Sequence, residues 1–137
     1  MNYKASFISY KRPEPEMSTY PRLYADADGE SHFEDLEIDL ASTDYAPPAP
    51  PLELSSLTPA TQIGFMRAPA GWSSDWHLSS SRNIFVVLGG EWEVTASDGE
   101  ARRFAAGSVL LVEDTRGKGH ASRVVSDTDS LAVMVQL

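Results

Sequence analysis

The 137-residue chain contains no cysteine. Disulfides, thiolate metal ligands and thiol nucleophiles are excluded together, and a reducing, cytoplasmic location is the default expectation. Basic residues are scarce: 11 Lys and Arg stand against 20 Asp and Glu, a net charge of −9. Nucleic acid and anionic membrane surfaces both call for a basic face, so both are disfavoured as partners. Arg102-Arg103 is a pair rather than a patch. Long apolar runs are missing too. The longest, Ile84 to Leu88, is far below the roughly 20 residues that span a bilayer, and Met1 to Arg12 holds no apolar stretch of the secretory-signal kind. There is no Walker A loop, no dinucleotide glycine fingerprint and no G-x-S-x-G elbow. No segment carries a convincing helical period, and no internal repeat is visible.

What remains is a globular composition, 42% hydrophobic, of a length that suits one domain. Residues 1–19 read as an extended arm, because Lys11-Arg12-Pro13-Glu14-Pro15-Glu16 is charged and broken by proline. Such an arm is either a flexible tail or a segment that packs on a second subunit. Residues 20–137 read as one β domain. Tyr20 to Tyr24 suits a strand ending at the turn-like Asp26-Ala27-Asp28-Gly29. Leu36, Ile38 and Leu40 alternate with Glu37 and Asp39, a period of two with one apolar and one acidic face. Pro47, Pro48, Pro50 and Pro51 forbid regular structure and predict a stiff crossing segment. Short strands are expected near 62–68, 72–77, 83–88, 91–95, 101–104, 108–112, 120–125 and 131–137, with Ser97-Asp98-Gly99 as a hairpin turn. Strands at this spacing argue for a sandwich or barrel.

Two stretches carry a family resemblance. Gly71, five residues, His77, then Asn83 and Gly90 resemble the first cupin motif, which reads glycine, five residues, His-x-His, a short spacer, glutamate, six residues, glycine. Gly107, the apolar run Val109-Leu110-Leu111-Val112, a loop and His120 resemble the second motif, which ends in histidine. The resemblance covers about residues 60–137. It implies an all-β double-stranded β-helix, a jelly-roll cupin barrel, with a central pocket. It also implies a homodimer, since such barrels often pair through a sheet edge. In that family, two motif-one histidines, the glutamate and the motif-two histidine hold a divalent metal. Here Ser79 stands at the second histidine and Asn83 at the glutamate, and the loop Glu113–Gly119 is about two residues longer. His77 and His120 are therefore the metal candidates, for iron, nickel, zinc or manganese, with Glu113 or His32 as recruits. Hydroxyl and amide oxygens are weak donors without charge, so a resident metal stays an open question.

The residues expected to bind a ligand are His77, Ser79, Asn83, Phe85 and His120. Strand parity adds Val87 on the Phe85 face and Ser122 and Val124 on the His120 face, and it turns Trp72 and Trp76 away from His77. Arg116 and Lys118 form either a solvated loop or a cationic lip that would attract an anionic ligand. His32 is read as a rim histidine, or as one folded toward the pocket or a dimer seam. The reading adopted is a small-molecule-binding barrel. The alternatives are a metal-dependent dioxygenase or isomerase, a metal-free isomerase or cyclase with His77 or His120 as base and Glu113 or Asp75 orienting it, and a partner-binding barrel whose vestigial pocket is filled by side chains.

Overall fold

The computed structural model describes residues 19–137. The expected arm lies outside the described residues, apart from Thr19, which opens the first strand. The described residues form strands β1 (Thr19–Ala25), β2 (Ser31–Glu37), β3 (Ala41–Thr43), β4 (Leu52–Leu54), β5 (Gln62–Ala68), β6 (Asn83–Gly89), β7 (Glu91–Ala96), β8 (Ala101–Ala105), β9 (Val109–Val112), β10 (His120–Val124) and β11 (Ser130–Gln136). Among them no helix is long and apolar enough to cross a membrane.

Six strands make one sheet in the order β2-β1-β9-β6-β11-β5, and three make a second in the order β10-β7-β8. Every pairing is antiparallel except β1 with β9. The fold is thus the all-β jelly roll expected. Alternation decides which side of each strand faces in. On β7, Trp92, Val94 and Ala96 are buried while Glu91, Glu93 and Thr95 are not. Leu23, Val87, Phe104, Leu110 and Val124 meet them to form the core. Trp92 is buried without an orphaned polar atom, because its indole N–H donates to Ser130 Oγ at 2.6 Å.

Three local expectations change. The second strand runs over Ser31–Glu37 and buries Ser31 and Phe33, whereas Leu40 is exposed. Among the described residues its pairing with β1 runs from Ala25 opposite Ser31 to Thr19 opposite Glu37. The proline-rich stretch is the loop of a small hairpin, β3 with β4. The stretch Trp72–His77 makes only two isolated bridges, Ser73 to Arg123 and His77 to His120. Ser74 contributes to the irregularity: its hydroxyl accepts the Ser122 N–H, while its own N–H and hydroxyl both donate to the Ser122 carbonyl.

Candidate functional site

A cavity of about 290 Å³ opens between the two sheets, and His77, Ser79, Asn83, Phe85 and His120 all line it. They come from separate stretches of the chain: the irregular segment after β5, the start of β6, and the start of β10. The walls are otherwise largely apolar, with Met66 and Met134 from the large sheet and Trp92 and Val94 from the small one. Phe85 and Trp92 meet edge to face at 5.5 Å, and Trp72 packs against Trp92 at 5.6 Å. Their rings therefore hold each other in place before any ligand arrives.

The two histidines differ in setting. His77 is exposed at the mouth, and His120 is buried. Their backbones exchange both hydrogen bonds at 2.9 Å, and their rings lie 4.5 Å apart. That closeness rests on Gly119. Its φ is +75°, and a Cβ there would sit 2.2 Å from the His77 carbonyl oxygen. Gly117 permits a similar close approach to the backbone of Gly29. At His77, Nδ1 faces the Asp75 carbonyl at 2.9 Å, so that nitrogen must carry the proton it donates. At His120, Nδ1 lies 2.5 Å from Asp114 Oδ2. A carboxylate accepts there, which leaves Nε2 as the lone-pair nitrogen of each neutral ring.

Asp114 is the residue that the sequence pattern did not single out. It is fully buried, and its Oδ1 has no hydrogen-bond partner among the described residues. A buried carboxylate is expensive unless paired, so the His120 contact is what makes its burial tolerable. A signal for it existed: Leu110 and Val112 face the cavity, and two further residues of the same alternation reach Asp114. The orienting carboxylate expected was Glu113 or Asp75. Instead Glu113 is gripped by Arg22 and Arg82, at 2.5 Å each. Burial pushes the Glu113 carboxyl up, but the two guanidinium hydrogen bonds outweigh it and hold the group below the usual range. Asp75 contributes its backbone oxygen only.

Other expectations are corrected by placement. Trp72 lines the cavity rather than facing away, because its segment is not a regular strand and parity does not apply. Trp76 is exposed, as its predicted outward direction requires. Ser122 lines the cavity, whereas Val87 and Val124 are core residues behind it. The cationic lip does not form. Arg116 donates to the carbonyls of Ala25 and Asp26, and Lys118 pairs with Glu30. His32 is tied between Asp26 and Asp98 on two turns and does not line the cavity. The barrel is also not filled by side chains, as the vestigial-pocket alternative requires.

The donor set does not fit a resident transition metal. Two imidazoles are present, but the Asn83 amide donates to Ser79 Oγ and the Ser81 carbonyl, and Ser79 Oγ donates to the same carbonyl. Among the described residues no three His, Cys, Asp or Glu side chains are grouped to hold an ion. The Asp114 carboxylate sits on Nδ1 of His120, where it orients the ring and supplies no ligand.

No protein-family model matches the chain, and no curated protein matches it. Similar solved structures exist. A protein of unknown function from Rhizobium leguminosarum is 22% identical with a TM-score of 0.46, over 54% of this chain and 67% of its own. A cupin domain from Bordetella pertussis is 21% identical with a TM-score of 0.43, over 54% of this chain and 77% of its own. The CENP-C cupin domain of Drosophila melanogaster is 13% identical with a TM-score of 0.44, over 74% of this chain and 76% of its own. At such identities the likeness is one of fold alone. The chain's own two-sheet topology is what makes the fold a cupin-like jelly roll.

Proposed function

We propose that the cavity binds a small, mostly apolar organic molecule that offers one hydrogen-bond donor to Nε2 of His120. The observation that carries this reading is a buried histidine, oriented by a fully buried carboxylate, in an otherwise largely apolar chamber. Pockets for small ligands have this composition: apolar walls for affinity and few polar groups for orientation. Among the described residues no Lys or Arg lines the cavity, so from these an anionic ligand would have only the imidazoles to neutralise it. A ring-sized molecule with a hydroxyl suits the Trp72, Phe85 and Trp92 walls better.

The Asp114–His120 pair favours one second reading, a metal-free isomerase or cyclase. A carboxylate behind Nδ1 fixes the tautomer and stabilises the imidazolium that forms when Nε2 takes a proton. His120 would be the base, and His77 at the mouth would serve as a second polar contact.

The test is a thermal-shift and tryptophan-fluorescence screen with phenol, cyclohexanone, benzoate and glucose as probes. Phenol is expected to raise the melting temperature and to perturb Trp72 and Trp92 emission, with both effects lost in His120→Ala. Benzoate acting alone would restore the anionic class. No response to any probe would remove the binding reading.

A further inference from the structure

Neighbouring residues of the large sheet serve two different spaces. Asn83 and Phe85 on β6 and Leu110 on β9 line the cavity. Their sequence neighbours Ile84 and Val109 line a second cleft, of about 390 Å³, on the opposite face of the sheet. The outer wall of this cleft comes from two stretches outside the strands, 38–39 and 55–58, which the β3–β4 hairpin joins. Tyr20 from β1 and Ile38 add to its apolar lining. The volume falls within the range of about 300–1,000 Å³ in which small ligands are held.

Charge decides what fits. Glu37 and Asp39 line the same cleft, and among the described residues no Lys or Arg does. The other two acids of β2 are neutralised, Glu34 by Arg22 and Asp35 by Arg102. Among the described residues Glu37 and Asp39 take part in no ion pair. An anionic guest would be repelled here, and a bare metal ion would make no use of the apolar wall. An aromatic ring close to carboxylates attracts positive charge twice over, through the ring quadrupole and through the opposite charges. The hydroxyls of Ser55, Ser56 and Thr58 lie on the same lip and can accept N–H donors. A cation, N–H groups and an apolar body together describe an amine.

We infer that this cleft binds a small organic ammonium with an apolar body, of the arylalkylamine class. The apolar part meets Ile84 and Val109, and the ammonium meets Glu37, Asp39 and Tyr20. The site lies across the sheet from the cavity and does not depend on the function proposed there.

Calorimetric titration of the full chain near neutral pH tests this with phenethylamine, phenethyl alcohol and phenylacetate, which share a ring and differ in charge. The amine is expected to bind, the alcohol at least about tenfold more weakly, and the acid not at all. Glu37 and Asp39 are exposed, so a Glu37→Gln, Asp39→Asn double variant keeps the fold. It should raise the dissociation constant of the amine at least about tenfold, whereas His120→Ala leaves it unchanged. Added salt should weaken the amine and spare the alcohol. An alcohol that binds as tightly as the amine overturns the inference. So does amine binding that is lost with His120 and survives in the double variant. An amine that does not bind the full chain overturns it as well. Nuclear Overhauser contacts from Tyr20 to Lys4, Lys11 or Arg12 would in that case assign the cleft to the chain's own first residues.

Discussion

Two histidines in this molecule each sit against carboxylates, and they end up doing opposite things. His32 is part-exposed, with Nε2 on Asp26 at 2.6 Å and Nδ1 on Asp98 at 2.9 Å. Both nitrogens are engaged, so the ring has nothing left to offer a ligand. It works as a clasp between the β1–β2 turn and the β7–β8 turn, beside the mutual hydrogen bonds of Ser31 and Ser97. His120 is buried and has one carboxylate, so its second nitrogen is free to meet whatever enters the cavity. The number of partners separates a structural histidine from a chemical one here. Burial then sets how much each partner matters, because water can replace a hydrogen bond lost at the surface but not one lost in the interior.

The largest expected effect strikes the backbone that holds His120 in place. Gly119→Ala would add a Cβ into the His77 carbonyl at a φ that side chains rarely adopt. It should cost at least about 3 kcal/mol or prevent folding, read by urea denaturation. A fully stable alanine variant would mean that the two histidine backbones are not coupled as described.

Next comes the direct contrast between the two pairs. Asp114→Ala leaves His120 buried without its partner and should cost about 3 kcal/mol. Asp26→Ala removes one of two solvent-facing partners and should cost clearly less. Equal losses in denaturation midpoint and slope would break the distinction drawn between clasp and site. Asp114→Asn sharpens it, since it keeps the shape but abolishes the carboxylate: phenol affinity is expected to fall while Asp26→Asn leaves it intact.

Metal content divides the site in another way. Protein purified without a tag or chelator is expected to hold well under one equivalent of iron, nickel, zinc or manganese by elemental analysis. One full equivalent that vanishes in a His77→Ala, His120→Ala double variant would falsify the two-imidazole argument and return the metal-dependent reading.

The smallest effect is the pH dependence of the clasp. The Asp26 hydrogen bond, and then that of Asp98, raises His32 above its ordinary 6.5. A raised folded value gives stability that is fully present below 6.5 and lost as pH rises through the folded value. Asp26 is held below its ordinary 3.8, chiefly by the same His32 hydrogen bond. Its contribution is present above 3.8 and fades as pH falls through the folded value. The melting temperature of the wild type should therefore exceed that of His32→Asn most between these limits, with the gap closing on the alkaline side. A gap that widens with pH contradicts the clasp.

Much of the fold was legible because alternation is a local property. The strands at 62–68, 83–88 and 91–95 followed from period-two runs between turn residues, and the structure places β5, β6 and β7 there within a residue at the end. The run at 72–77 became an irregular segment that reaches β10 through isolated bridges, and the run at 36–40 gave way to a strand that starts at Ser31 in register with β1. Both failures depend on a second segment that no local pattern contains.

The amino-acid sequence by itself determined the class of fold, the absence of thiol chemistry, and the identity of five residues that share one cavity. Spacing between glycines and histidines carries that information along the chain. Only the tertiary structure decided what those residues can do. Asp114 is one acid among 20 until burial singles it out, and Arg116 and Lys118 look like a ligand trap until their partners on the β1–β2 turn take them up. A side chain's chemistry is set by what surrounds it in space, and in this barrel those surroundings come from segments up to 91 residues away.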